Sequence, residues 1–103
     1  MGSRLDLQAI LEGILGTRKV YFQPKTNTTI DYSSGVIIYH RDWAMTQFAT
    51  NRPYRHVLRY QVDYISPKQN ETVLKALLDL PMCIYDRFHT ADDLNHDVFK
   101  LFF

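Results

Sequence analysis

The chain has little of several features that would point to a chemical role. Its single cysteine, Cys83, excludes an internal disulfide and favours a reducing compartment. The four glycines are scattered and form no phosphate-binding loop. A net charge of +1 provides no long-range field to attract nucleic acid or an anionic membrane. No apolar run approaches the roughly 20 residues of a membrane span, so we expect no membrane partner.

Apolar and aromatic residues are, by contrast, plentiful. Hydrophobic residues make up 46% of the chain, which is typical of a folded protein. Seven tyrosines and six phenylalanines are a large aromatic content for 103 residues. Such side chains suit β-strands and buried contacts between subunits. The length predicts a single domain over residues 1–103.

The first half of the chain predicts one helix followed by strands. Apolar residues recur at helical spacing from Leu7 to Leu15, with Ser3 placed to cap the start and Gly16 placed to end the helix. Residues 19–23 predict a short strand, residues 25–35 a polar loop and residues 36–39 an apolar strand. The signal weakens over residues 44–53, where residues 51–53 predict a turn.

The second half predicts strand, helix and two closing strands. Residues 55–65 alternate apolar and polar side chains, as in an antiparallel sheet covered on one side. A helix is expected over residues 71–80, capped by Asn70 or Ser66. Strands over 83–88 and 98–103 flank a polar turn at 90–97. The order favours an α+β fold, with two helices packed on one face of an antiparallel or mixed sheet.

The polar turn contains residues that suit a metal site. Histidine and aspartate are good ligands for zinc or manganese, and a small metal-dependent enzyme built on His89, Asp92 and His96 is one hypothesis. The spacing fits no established ligand pattern. Acidic side chains are common in turns because they bond the local backbone. The turn interpretation is therefore favoured for the whole set, which also includes Asp93 and Asp97, and we expect no metal site.

Other chemical candidates also have plainer interpretations. Cys83 lies in an apolar strand without a partner base, so it is expected to pack as a small hydrophobe. The basic residues Arg52, Arg55 and Arg59 alternate with aromatics, as in single-stranded nucleic-acid sites. The nearly neutral charge favours a solvated sheet face or a subunit contact instead. No catalytic residue and no cofactor site is predicted.

Residues 90–103 read TADDLNHDVFKLFF. They resemble the ending of a family of small tail-completion proteins from long-tailed bacteriophages and prophages of Gram-positive bacteria, in which YTADNLNHDVFTLYY is typical. Residues 11–24, LEGILGTRKVYFQP, resemble that family's LEEILGSRNVYFQP. The runs at 37–39 and 59–62 are also similar. The chain departs from the family pattern in the loops at 26–35 and 64–68.

The resemblance implies a structural virion protein similar to phage tail terminators. Such proteins form a homo-oligomeric ring, commonly a hexamer, that closes the head-proximal end of the tail tube. The implied partners are the tail tube protein and a head completion or connector protein, and DNA passes through the lumen without sequence-specific binding. The implied location is the virion neck, after assembly in the host bacterial cytoplasm. No enzymatic activity is implied. An alternative is an adaptor or stopper on the capsid side of the neck.

A ring requires each subunit to present two different complementary surfaces. We expect one on an arm at residues 42–51, because exposed aromatics among polar residues are typical anchors of protein contacts. The second is expected along a sheet edge at residues 54–60. The residues predicted to take part are Trp43, Phe48, Arg52, Tyr54, Arg55 and Tyr60.

Overall fold

The computed structural model describes residues 4–25, 28–49, 52–68 and 70–103; of residues 45–49 and 52–57 it describes the backbone alone. Two helices and five strands follow one another along the chain. In order they are α1 (Arg4–Leu15), β1 (Val20–Phe22), β2 (Val36–Ala49), β3 (Arg52–Ser66), α2 (Glu71–Leu78), β4 (Cys83–Ala91) and β5 (Leu94–Phe102).

The strands form a mixed sheet in the order β1-β2-β3-β5-β4. β1 runs parallel to β2, and every other neighbouring pair is antiparallel. Both helices pack on one face of this sheet, which confirms the predicted α+β class. No helix in the described part of the chain is long and apolar enough to cross a lipid bilayer.

The core lies between the helices and the helix-facing side of the sheet. Leu7 and Leu11 of α1 and Val73 and Leu77 of α2 are buried there. They meet one stripe of side chains from the strands, as the period-2 pattern of a strand requires. The strand residues of this core are Val20, Ile37, Tyr39, Tyr60, Val62, Tyr64, Phe99 and Leu101.

A chain of hydrogen bonds fixes α1 to the sheet. The Tyr39 hydroxyl donates to Gln8 Oε1 over 2.6 Å and accepts from Arg4 Nη1 over 3.4 Å. Gln8 Nε2 in turn donates to the Val20 carbonyl over 2.8 Å. Burial raises the pKa of Tyr39, with the nearby Arg4 opposing that effect, so the hydroxyl stays protonated and able to donate. The buried phenol is thus satisfied within the packed layer.

The helix ends follow the predicted chemistry. Gly16 takes a left-handed φ of 81°, and its amide donates to the Glu12 carbonyl over 2.9 Å. Asn70 caps α2 by accepting from the amides of Thr72 and Val73, so of the two predicted caps Asn70 is confirmed. α2 ends at Leu78, two residues before the predicted end. Ser3 lies outside the described residues.

β2 and β3 are much longer than predicted. β2 continues beyond residue 39 to Ala49, and β3 begins at Arg52 rather than at residue 55. The two strands pair along their described length, so residues 44–49, where the sequence signal weakens, are strand. Of the turn predicted at 51–53, Arg52 and Pro53 belong to β3 instead. Pro53 is tolerated because this stretch has no third strand beside it among those described. Residues 50 and 51 lie outside the described part.

This hairpin forms an arm, which we define as residues 40–49 and 52–58. β1 pairs with β2 only up to Tyr39, and β5 pairs with β3 only from Arg59. Beyond those pairs, the arm continues as a two-stranded ribbon outside the five-stranded part. The molecule is accordingly elongated, with principal extents of 51 × 31 × 23 Å.

The second hairpin is tighter than predicted. Only Asp92 and Asp93 form its turn, with φ values of 52° and 62°. Positive φ at both central residues is the mark of a type I′ turn, whose twist matches that of the flanking strands. The predicted polar turn at 90–97 is therefore wrong in extent, because residues 94–97 belong to β5.

Candidate interaction surface

The candidate surface lies on the sheet face away from the helices, where the arm leaves the sheet. A bulge between Arg41 and Trp43 inserts Asp42 as an extra residue in β2. Bulges bend a strand and redirect its side chains. Here the result is that Asp42 and Trp43 both contact the same residue of β3, Arg59.

Trp43 is the aromatic centre of this surface. It is 40% exposed, in agreement with its predicted exposure. Its ring meets Phe102 of β5 edge to face, with centroids 6.2 Å apart and an interplanar angle of 84°. The Arg59 guanidinium lies 5.7 Å from the Trp43 ring centroid. Such contacts hold a large side chain in one orientation, which lowers the entropy cost of binding a partner.

A charged network surrounds this aromatic pair. Asp42 accepts hydrogen bonds from Arg59 Nε over 3.0 Å and from Lys100 Nζ. Lys100 Nζ also donates to Gln61 Oε1 over 2.8 Å. Burial raises the pKa of Asp42, but the hydrogen bonds from Lys100 and Arg59 outweigh it and hold that pKa below its usual value. Asp42 is therefore ionised at neutral pH, and two cations share its charge.

The predicted interface residues have different outcomes. Trp43 lies at the surface as expected. Phe48, Arg52, Tyr54 and Arg55 belong to the strands of the arm, and their side chains lie outside the described residues.

Tyr60 was predicted to lie on an exposed edge, and this is wrong. Its side chain is 1% exposed, with ring centroids 6.0 Å from Tyr39 and 6.4 Å from Phe22. The reason is that β3 is an interior strand of the sheet from Arg59 onward, where helices cover its inner face. Tyr60 is a core residue, so its side chain is not available at the surface of the folded chain.

Three of the proposed metal ligands are distributed over the β4–β5 hairpin. His89 and His96 stack across the strands with centroids 4.6 Å apart. Asp92 lies in the turn, where its positive φ has a local conformational role. Across the described residues, no three His, Cys, Asp or Glu side chains are grouped so as to hold a metal ion.

Asp97, another residue of that set, is buried and is engaged in the fold. Its Oδ1 accepts a hydrogen bond from the Tyr85 hydroxyl over 2.9 Å. Burial and the hydrogen bond to Asp97 both raise the pKa of Tyr85, so the phenol remains a donor. This side-chain hydrogen bond links the edge strand β4 to β5.

Sequence reasoning did not identify an apolar groove on the helix side. It has a volume of about 320 Å³ and lies between α1, the connection from α2 to β4, and the end of β5. Met82, at its rim, is 69% exposed and has a φ of 60°. The sequence offered one signal, the unbroken apolar run LPM before β4. The lining residues are Leu7, Ile10, Leu80, Pro81, Met82, Leu101, Phe102 and Phe103.

No protein-family model matches the chain, and no curated protein sequence matches it at a significant level.

Proposed function

We propose that this protein is a structural component of the head–tail neck of a long-tailed bacteriophage. In this proposal, copies of the chain form a ring that terminates the tail tube and docks it to the head connector. The observation that carries the proposal is the arm with an exposed, oriented tryptophan at its base. It adds to the resemblance of residues 11–24 and 90–103 to tail-completion proteins.

The arm supports an assembly role because of its instability as an isolated element. A two-stranded hairpin is at best marginally stable in water without a third strand or a covering layer. In the described part of this chain, neither helix packs against the arm beyond its base. A partner that covers the arm would supply the missing contacts. A ring of identical subunits provides such a partner in every position.

The surface chemistry also suits protein contact. Trp43 is a large anchor bordered by the Asp42–Arg59–Lys100 network, and interfaces are typically built from aromatic anchors with a charged rim. We infer no enzymatic activity for this protein, and the proposed partners are tail tube protein and head connector protein. Virion DNA would pass through the lumen without base-specific contacts.

Replacement of Trp43 tests the role of this surface. We expect Trp43→Ala to lower ring formation and binding to purified tail tubes by at least tenfold, because interface aromatics at such sites contribute about 2 kcal/mol or more. Native mass spectrometry and electron microscopy of mixtures with tail tubes provide the measurement. Leu78→Ala, which truncates a similarly exposed apolar residue on α2, is the control. Unchanged rings and tube binding in Trp43→Ala would remove this residue from the interface.

A capsid-side adaptor or stopper is the alternative function. The exposed arm base suits docking to a head connector as well as to a tube. Binding of the purified protein to DNA-filled heads, compared with binding to tail tubes, distinguishes the two functions. Preference for heads would place the protein on the capsid side of the neck.

A further inference from the structure

The outer edge of β4 is long, and it carries exposed apolar side chains on both sides of a charged, bulged middle at Asp86 and Arg87. β4 spans nine residues at one border of the sheet, and none of the described strands pairs with its outer side. Ile84 is 60% exposed and Phe88 is 46% exposed. By register, Ile84 lies across from Lys100 and Phe88 across from Asp97, so the two apolar side chains lie on opposite faces of the strand. An edge strand whose outward amides and carbonyls have no described partner strand is a template for pairing with another chain.

We propose that this edge of β4 pairs with the β2 strand of the arm of a second copy, so that the sheet continues from one subunit into the next. The inference rests on the ring proposed above and states how that ring is held together. It adds backbone pairing, a contact separate from the Trp43 surface.

Strand direction favours this pairing. β4 and β2 run in opposite directions within one sheet, because β2 is antiparallel to β3, β3 to β5 and β5 to β4. Neighbouring subunits of a ring share one orientation about its axis. The β4 edge of one subunit therefore meets the β2 edge of the next in antiparallel fashion. Antiparallel ladders are the slightly more stable kind.

The β4 edge and the β2 edge both lack a neighbouring strand among those described, and they are similar in length. β2 has no described strand on its outer side beyond Tyr39, and the Arg41 amide there donates to Gln23 Oε1. Residues 42–49 therefore present an edge comparable to the nine residues of β4. Pairing would convert the two-stranded arm into a three-stranded sheet, the smallest that is stable in water with an apolar face. It uses two different surfaces of each subunit, as a closed ring requires.

The pairing also sets a condition on the ring. Within its own sheet, Cys83 is level with Leu101, Tyr60 and then Arg41 of β2. To pair with the arm, β4 of one subunit must be shifted along the strand direction relative to β2 of the next subunit. A ring closes under such a displacement only if its strands are inclined to the ring axis, as strands are in closed barrels.

The amides available on the β4 edge follow from the ladder. The Phe102 amide donates to the Met82 carbonyl over 3.2 Å, which makes these residues a hydrogen-bonded pair. Pairs alternate along an antiparallel ladder, so the next amide, that of Cys83, faces away from β5. At the other end of β4, the two-residue turn makes Ala91–Leu94 a hydrogen-bonded pair, and His89–His96 is the next one. Phe88 follows His89 in this alternation, so its amide also faces away from β5.

A backbone substitution at Phe88 tests the pairing. We expect Phe88→Pro to abolish ring formation, because proline removes the outward amide and hinders an incoming strand. Phe88→Ala is the matched control: it removes the same side chain, keeps the amide and is expected to weaken the ring less. Native mass spectrometry measures the oligomer, and thermal unfolding checks that the subunit is folded. Rings that form equally well in both variants would overturn the pairing.

Disulfide trapping tests the same contact without disturbing the backbone. In antiparallel pairing the first residue of β4, Cys83, meets the far end of β2. We expect Gln47→Cys or Ala49→Cys to form a disulfide-linked dimer with Cys83 under oxidation at pH 9 and to lose that dimer when Cys83→Ser is added. Lys75→Cys, on the exposed side of α2, is the control.

The outcomes separate this inference from the proposed function. Rings that assemble on tail tubes but give no such crosslink would refute the β4–β2 pairing and leave the terminator proposal standing. Crosslinks between two β4 edges, detected with Ala91→Cys and Cys83, would indicate a two-fold dimer and also refute it. A chain that stays monomeric with and without tubes would overturn both proposals.

Discussion

Single residues define the candidate surface, and Asp42 is the one on which most contacts depend. It lies at the β2 bulge and joins Arg59 of β3 to Lys100 of β5. Its side chain is only 13% exposed. Without the carboxylate, two cations would face each other across the sheet. A partly buried charge that loses its partner destabilises a fold more than an exposed one does.

We therefore expect Asp42→Asn to lower the free energy of unfolding by about 1–2 kcal/mol at pH 7, between the values for exposed and fully buried pairs. The pKa of Asp42 is lower in the folded state than in the unfolded state. Its contribution is thus fully present above the unfolded pKa of about 3.9 and is lost as the pH falls through the folded pKa. The difference between wild type and variant should shrink as the pH falls below about 4.

Urea unfolding at pH 7 and pH 3 measures this effect. Asp31→Asn is the control, because Asp31 pairs with Lys19 at an exposed site and little change is expected there. An Asp42→Asn variant as stable as wild type at pH 7 would show that the network does not stabilise the sheet.

Cys83 gives a second prediction at this scale. Burial raises the pKa of its thiol, so less of the reactive thiolate is present at neutral pH. We expect iodoacetamide to alkylate Cys83 more slowly than free glutathione at pH 8, with the rate still rising above pH 9. Unfolding in guanidinium should remove the difference. A rapid reaction at pH 7 would contradict the half-buried placement of Cys83.

At the scale of elements, the sequence predicted the helices that pack on the core but did not predict the arm. α1 and α2 were predictable because their apolar residues must face one core at helical spacing, and Gly16 and Asn70 carry recognisable end signals. The arm was not predictable in the same way. Residues 44–53 show no regular alternation of apolar and polar residue types that would mark them as strand.

The candidate surface was only partly predictable from the sequence, because strands that are distant along the chain both contribute to it. An exposed aromatic in a polar segment suggested Trp43, and this was sufficient to find one member. Its neighbours Phe102 and Lys100 come from β5, and only the sheet register brings them beside β2. Tyr60 was misassigned because the predicted strand did not indicate where the arm ends and the covered sheet begins.

The arm can be tested as a separate element. We expect replacement of residues 46–56 by Asn-Gly to leave a folded subunit, because a type I′ turn needs a hydrogen-bonded flanking pair. Met45–Val57 is such a pair, since the Leu58 carbonyl next to it bonds the Phe103 amide on the β5 side. The core residues described above lie outside the removed segment. Thermal unfolding should change by only a few degrees, whereas ring formation should be lost.

Circular dichroism and native mass spectrometry give the two readouts for this variant. A matched control replaces residues 28–33, in the loop before β2, with a Gly-Ser segment of equal length. That control should keep both the fold and the ring. A ring that forms without the arm would show that subunits associate through other surfaces.

At the scale of the whole molecule, the elongated chain has three candidate contact surfaces, and the arm and the β4 edge lie on opposite sides of the sheet. The arm leaves the sheet on one side, the β4 edge borders it on another, and the apolar groove lies by the helices. Two different complementary surfaces generate a ring when the rotation between subunits closes and an open filament when it does not, whereas one self-complementary surface generates two-fold dimers. The proposed ring would use the arm and the β4 edge as two such different surfaces.

The most direct test is the native mass of the purified protein, alone and mixed with tail tubes, with electron microscopy of any complex. The proposal predicts a ring of identical subunits, seen as a cap on one end of each tube. A monomer that binds neither tubes nor heads would contradict the assignment to the neck.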